Sequence, residues 1–350
     1  MKIAVVPGDG IGPEVINEGL KILDIIKSKL NLNLKLELKN WGANKWLKTG
    51  IGLPKNTLTD LIKNYDAIYF GALGDPRIPD MAHAREILLG LRFGLDLYVN
   101  MRPIFIFNQF LCPLKNDKDI DFIIFRENTE DSYVAIGGSF KKGTDDEVVI
   151  DESIHTKKGV ERIVRYAFKY AETNGRKKIT LTDKANAIQF GGNLWQRIFG
   201  KVSAEYPNIK TEHLYVDVMA MEFVKKPQKF DIIVTSNLFG DILSDLGAGL
   251  IGGLGLAASA NINPGHIGLF EPVHGSAPDI AGQKKANPMA AILSLGMMLD
   301  YLGIAKAKTI IERAIKYAFK ERALTPDLGG TLNTGDMGDF ICKYIKTESW

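Results

Sequence analysis

The sequence predicts a mixed α/β chain built on parallel strands and divided into two domains. The opening stretch reads as strand, glycine turn, helix and strand: Lys2–Val6 (KIAVV) runs into PGDGIGPE, after which Val15, Ile16, Gly19, Leu20, Leu23, Ile26 and Leu30 share one helical stripe. Short apolar runs then recur, Asp66–Gly71 (DAIYFG), Phe122–Phe125 (FIIF), Lys178–Thr182 (KITLT) and Phe230–Val234 (FDIIV), and the last three are followed directly by polar residues. Buried parallel strands with binding groups at their ends give that pattern. The 350 residues suffice for about two such domains.

Taken in order, Pro13 and Glu14 suit the first turn of the first helix. Leu32, Leu34, Leu36 and Leu38 alternate with polar residues, as in a strand with one wet face. Gly8, Gly10 and Gly12 are spaced GxGxG rather than GxGxxG, and no acid stands clearly at the end of the second strand, although Glu37 lies within it. The motif is compatible with a tight turn needing positive φ or with a backbone approach to phosphate. Glu147–Asp151 (EVVID) follows a polar, glycine-bearing stretch and suits an arm or edge hairpin. A further amphipathic helix runs from Val160 to Ala171 and stops at Asn174-Gly175, and two more cover about Met289–Leu302 and Ala305–Arg322.

Composition narrows the function classes. Hydrophobic residues at 45% and charged residues at 24% are ordinary for a globular protein. The 44 basic and 41 acidic side chains leave +3, too little and too dispersed for a nucleic-acid partner. Cys112 and Cys342 are far apart, which supports neither a disulfide framework nor a zinc site and fits a reducing cytoplasm. No run of about 18 apolar residues is present, so no membrane association is expected.

The residues that carry chemistry gather at the ends of predicted elements. Asn237–Gly249 (NLFGDILSDLGAG) puts Asp241 and Asp245 four apart on a helix, hence on one face. Two carboxylates so placed repel unless a cation lies between them, which suits a hard divalent ion such as Mg²⁺ or Mn²⁺. Arg92, Arg102 and Arg126 stand near element ends, where guanidinium groups can grip carboxylates bidentately. Tyr133 closes RENTEDSY, Lys184 lies in TDKAN, and Asp217 lies in YVDVMAM. The loop FEPVHGSAPDIAG carries His274, Gly275, Ser276, Ala277 and Asp279, and ANP follows with Asn287.

Together these stretches resemble the β-decarboxylating dehydrogenases, the isocitrate/isopropylmalate dehydrogenase family, from PGDGIGPE to LTPDLGG at Leu324–Gly330. The resemblance implies an isopropylmalate-dehydrogenase-like two-domain α/β fold with a non-Rossmann dinucleotide site. Its first domain would take residues 1–99 plus 252–350, and its second residues 100–251, with an arm near 135–150 at a dimer interface. It implies a homodimer or homotetramer whose active sites are shared between subunits. Asp241 and Asp245 of one subunit, with Asp217 of the other, would hold Mg²⁺ or Mn²⁺. Arg92, Arg102 and Arg126 would bind a 2-hydroxy dicarboxylate, with Tyr133 and Lys184, the latter from the partner subunit beside Asp217, as the proton-transfer residues. His274 to Ala277, Asp279 and Asn287 would bind NAD, with Asp279 as the acid that meets the ribose hydroxyls and repels the 2′-phosphate of NADP.

For the substrate, Leu88 and Leu89 resemble the two leucines that face the isopropyl group in isopropylmalate dehydrogenases, implying 3-isopropylmalate and a role in leucine biosynthesis. RENTEDSY stands where those enzymes usually carry an LTGGIY-type sequence, GDPRIPD, EVVI and LTPDLGG resemble instead the tartrate/D-malate branch, and homoisocitrate is a third alternative. Arg85 has no assigned counterpart. Non-catalytic regulatory relatives lose part of the metal or arginine set, whereas this chain keeps it.

Overall fold

The computed structural model describes residues 1–115 and 119–348. The ranges expected for the two domains also include residues 116–118, 349 and 350, which lie outside the described residues. In chain order the strands are β1 Lys2–Gly8, β2 Lys35–Leu38, β3 Ala67–Ala72, β4 Val99–Phe105, β5 Asp121–Glu127, β6 Gly137–Phe140, β7 Val148–Asp151, β8 Lys178–Asp183, β9 Lys210–Tyr215, β10 Ile232–Thr235, β11 Ala258–Ile262 and β12 Gly268–Pro272. The helices are α1 Gly12–Lys29, α2 Ala43–Thr49, α3 Thr57–Asn64, α4 Ala82–Ala84, α5 Gly90–Gly94, α6 Lys157–Thr173, α7 Gln189–Ser203, α8 Val216–Lys225, α9 Asn237–Leu250, α10 Met289–Tyr301, α11 Ala305–Lys320 and α12 Thr334–Thr347. A π-helical turn, Arg85–Leu89, lies between α4 and α5.

Two compact units result. The first comprises Met1–Leu97, Phe105–Asp117 and Ala248–Trp350, and the second Tyr98–Ile104 and Lys118–Gly247. The segment from Phe105, expected from the sequence in the second domain, packs with the first. Aromatic contacts account for this: the Phe107 ring stacks on Phe319 at 5.9 Å, Phe110 meets the same ring at 6.2 Å, and Lys316 lies 4.9 Å over Phe105.

In the first unit the strands lie in the order β2-β1-β3-β12-β11. β1, β2, β3 and β12 run parallel, whereas β11 pairs antiparallel with β12. The stripe of α1 buries Val15, Ile16, Gly19, Leu23 and Ile26, with Glu14 in its first turn. The alternating leucines give a shorter strand than their pattern predicts. β2 starts only at Lys35, and at this sheet edge Leu38 is 67% exposed. Ile68, Phe70, Leu91, Leu97 and Leu269 form one buried cluster, against which Leu88 also packs. Each such apolar side chain contributes about 1.5–3 kcal/mol when fully buried.

In the second unit the order is β4-β5-β10-β8-β9, and β5, β10, β8 and β9 are mutually parallel. Their carboxyl ends therefore lie on one side, where an open α/β sheet presents its binding groups. Phe122, Phe223 and Phe230 pack ring to ring beneath them. β6 and β7 pair as an antiparallel hairpin in which every residue is exposed. Among the described residues no helix is long and apolar enough to cross a membrane.

Candidate active site

Parallel strands deliver most of the polar residues singled out above. β5 ends on Arg126 and Glu127, β8 leads to Lys184, β9 leads into α8 and its first-turn Asp217, and β10 leads into α9 with Asp241 and Asp245. Within the second unit these residues form two clusters.

The first cluster centres on Asp241. The Tyr133 hydroxyl donates to its Oδ2 at 2.5 Å, and Arg126 Nη1 donates to Oδ1. Arg102 Nη1 lies 3.1 Å from Asp241 and 3.6 Å from Asp245. The arginines are held from behind: Arg126 Nε donates to Asn237 Oδ1 at 2.7 Å, Arg102 Nε to Asn100 Oδ1 at 2.8 Å, and Arg102 Nη1 to Ser244 Oγ at 2.5 Å. The Arg126 guanidinium also lies 4.9 Å over the Tyr133 ring. A Cβ at position 240 would stand 2.6 Å from both Cβ and Cγ of Arg126, so the helix needs glycine there to admit the arginine. Asn237, Gly240 and Ser244 share the motif of Asp241 at helical spacing, a signal that attention to the acids alone passes over.

The same loop is tied to two helices. Asp131, with φ 69°, accepts from the Leu238 amide at 3.0 Å in the first turn of α9. Glu130 accepts from the Thr156 amide at 2.8 Å in front of α6. Burial pushes the neighbouring Glu127 carboxyl up to about 7, although Thr129 and the Glu130 amide donate to it. Burial, and after Arg102's opposing charge the nearby Asp241, leave the Asp245 carboxyl raised as well.

The second cluster is Lys184 with Asp217, at 2.6 Å. The hydrogen bond from Lys184 holds the Asp217 carboxyl below its ordinary range. Lys184 also lines a cavity of about 70 Å³ with Asp131, Ser153, His155 and Thr182. Among the described residues, no three His, Cys, Asp or Glu side chains converge as a metal site. The pair Asp241 and Asp245 nevertheless fits a hard divalent cation, since it offers only oxygen donors and a cation between them would relieve their repulsion.

Arg92 belongs to the first unit, where it is 6% exposed and its Nη2 donates to Glu271 Oε1 at 2.8 Å. Glu271 also accepts from Asn261 at 2.9 Å, and neither partner is signalled by the sequence pattern. Leu88 packs against the buried cluster, whereas Leu89 is half-buried. Arg85 is exposed, 3.9 Å from an equally exposed Asp80. Glu86 binds the Gly52 and Leu53 amides.

The loop His274–Asp279 also lies in the first unit. His274 Nδ1 pairs with the Gly275 carbonyl at 2.9 Å, and its Nε2 is buried with no partner among the described residues. Burial lowers its pKa, so the neutral ring with Nδ1 protonated presents an acceptor, which fits a hydroxyl or amino group of a dinucleotide. Ser276 is buried, while Gly275 and Asp279 are exposed. Asn287 uses both polar atoms within the chain, donating to Asp327 at 3.0 Å and accepting from the Met289 amide at 2.9 Å. The glycine turn is built for close packing. Gly8 and Gly10 have positive φ, and a Cβ on either would fall about 2 Å from the carbonyl of Ala72 or Ser276.

Comparison with known proteins shows the family of the chain. Residues 2–341 match the family described as isocitrate/isopropylmalate dehydrogenase, and the chain belongs to that family of decarboxylating dehydrogenases. It is 46% identical over 352 aligned positions to a 3-isopropylmalate dehydrogenase of Thermobifida fusca, covering 99% of this chain and 98% of that protein. A 3-isopropylmalate dehydrogenase of Streptomyces griseus is 47% identical, with 98% of each chain covered. The crystal structure of isocitrate dehydrogenase from Methylococcus capsulatus superposes with a TM-score of 0.90 at 38% identity, covering 99% of both chains.

Proposed function

We propose that the protein oxidises and decarboxylates (2R,3S)-3-isopropylmalate to 4-methyl-2-oxopentanoate and CO₂, with NAD⁺ as oxidant and Mg²⁺ or Mn²⁺ as cofactor, in leucine biosynthesis. The observation that carries this reading is the pair of clusters in the second unit. Asp241, Asp245, Tyr133, Arg102 and Arg126 form one constellation, and Lys184 with Asp217 forms another. In the proposed homodimer, the first constellation of one protomer meets the second constellation of its partner. Exposed apolar side chains in the second unit support such an interface: Phe140 is 66% exposed, Val149 62%, Phe190 92%, Val224 51% and Ile242 57%.

Asp241 and Asp245, with Asp217 of the partner subunit, would hold the metal, which when bound supplies positive charge where oxygen develops negative charge. Arg92, Arg102 and Arg126 grip the two carboxylates of the substrate. Lys184 of the partner subunit, oriented by Asp217 of the partner subunit, would receive the proton of the C2 hydroxyl, and NAD⁺, when bound, would accept the C2 hydride, leaving a ketone at C2. The bond from C3 to its carboxylate then breaks, CO₂ departs, and the bond's electron pair passes into the enolate. The Tyr133 hydroxyl protonates C3, and solvent restores its proton. Leu88 and Leu89 support an apolar substituent on C3. The exposed Asp279 carboxylate supports NAD⁺ over NADP⁺, because it would repel a 2′-phosphate.

Metal-dependent NADH formation is the test. The reading requires 3-isopropylmalate to give the highest kcat/KM among 3-isopropylmalate, D-malate, tartrate, isocitrate and homoisocitrate. Higher efficiency with D-malate or tartrate would move the assignment to that branch.

A further inference from the structure

Asp9 lies in the turn between β1 and α1 and is 8% exposed. Three segments of the first unit donate to its carboxylate. The Ala43 amide of α2 reaches Oδ1 at 2.7 Å, the Gly74 amide after β3 reaches Oδ2 at 3.1 Å, and His83 Nε2 of α4 reaches Oδ2 at 3.0 Å. His83 is fully buried, and its Nδ1 has no partner among the described residues. A carboxylate that accepts this bond requires the proton on Nε2. The ring is therefore oriented by one hydrogen bond to Asp9.

Two backbone segments joined through Asp9, its own turn and the one carrying Gly74, also seat the His274–Asp279 loop. The Ile11 amide donates to the Ser276 carbonyl at 2.8 Å. A Cβ on Gly10 would stand 2.0 Å from that carbonyl oxygen, and one on Gly74 would stand 2.7 Å from Ser276 Oγ. Gly10 follows Asp9 in the chain, and Gly74 is bonded to it. Two segments that touch Ser276 thus share one anchor.

We propose that the buried Asp9–His83 pair is the positioning element of the dinucleotide loop: it fixes the two backbone segments against which Ser276 seats, and so sets His274–Asp279 before a nucleotide arrives. The inference rests on reading that loop as the NAD site. Asp9 and His83 act through Gly10, Ile11 and Gly74. Their effect falls on affinity through preorganisation rather than on the chemical step.

The test uses the full-length protein with His83→Leu and His83→Gln, the latter keeping a donor near the position of Nε2. NADH affinity is measured by fluorescence, and amide exchange of residues 8–12 and 274–283 is measured without nucleotide. His83→Leu is expected to raise the NADH Kd about tenfold, the scale of one hydrogen bond to a charged group, and to speed exchange at Ile11. Its kcat at saturating NAD⁺ stays within about twofold of wild type, and His83→Gln recovers most of the affinity. If His83→Leu does not fold, His83→Asn, too short to reach Asp9, takes its place. Wild-type Kd and exchange in the Leu variant would overturn the proposal, as would equal losses in the Leu and Gln variants. A wild-type protein that binds no NADH, with faster Ile11 exchange in the Leu variant, would overturn the NAD reading while leaving the clamp supported.

Discussion

The Tyr133 hydroxyl donates to Asp241 at 2.5 Å, so a proposed acid and a proposed metal ligand touch within one protomer. This contact ties the turn after β5 to the second turn of α9. Tyr133→Phe removes the donor but keeps the ring beneath Arg126. The variant is expected to lose about 10²- to 10⁴-fold in kcat, with the wild-type thermal midpoint and KM within a few-fold. Steady-state kinetics alongside thermal unfolding separates these effects.

Asp241→Asn keeps the shape of the side chain and removes its charge. Turnover is expected to fall by at least about a thousandfold, because the cation that supplies transition-state charge stabilisation is lost. Wild type should gain thermal stability on addition of Mn²⁺ and lose that gain with chelator, while the variant should show neither response. Wild-type activity of Asp241→Asn in chelated buffer would mean that catalysis needs no metal at Asp241.

The separation of Lys184–Asp217 from the Asp241 cluster makes shared sites testable. Lys184→Met and Asp241→Asn homodimers are each expected to be inactive. Refolded together, they should form mixed dimers in which one of the two sites is intact, giving about a quarter of wild-type activity. No recovery from demonstrably mixed dimers would mean that each protomer builds its site alone.

Glu127 gives a pH dependence with a definite sign. Its carboxyl titrates near 7 in the native state against 4.5 as the ordinary value. The folded protein therefore binds a proton that the unfolded chain releases, and the slope of stability with pH is negative in this window. The contribution is fully present below about 4.5 and is lost as pH rises through about 7, by at most about 3 kcal/mol. Glu127→Gln should flatten that slope in denaturant titrations between these pH values. An unchanged slope would mean that Glu127 titrates normally.

Local signals are legible in the amino-acid order itself. Parallel strands announce themselves as short apolar runs, and the Asp241–Asp245 spacing survives as one face of α9 because helical period is a local property. Long-range partnerships are not legible in this way. Glu271 meets Arg92 across 179 positions and Asp9 meets His83 across 74, and no periodicity encodes such pairs. The π-helical turn Arg85–Leu89 escapes for a related reason. A turn closed from Gly90 back to Arg85 leaves the apolar pattern looking like ordinary helix, yet here it presents Leu88 to the core and leaves Arg85 in solvent. The displaced segment from Phe105 depends on Phe319, more than 200 positions away.

The proposed reaction is tested by the initial rate of NADH formation by purified protein with Mn²⁺ and 3-isopropylmalate, run beside D-malate, tartrate, isocitrate and homoisocitrate. Metal-dependent NADH formation, stoichiometric CO₂ release and the highest kcat/KM with 3-isopropylmalate are expected. A higher kcat/KM for any of the other four acids, or NADH formation without CO₂, would contradict the proposed reaction.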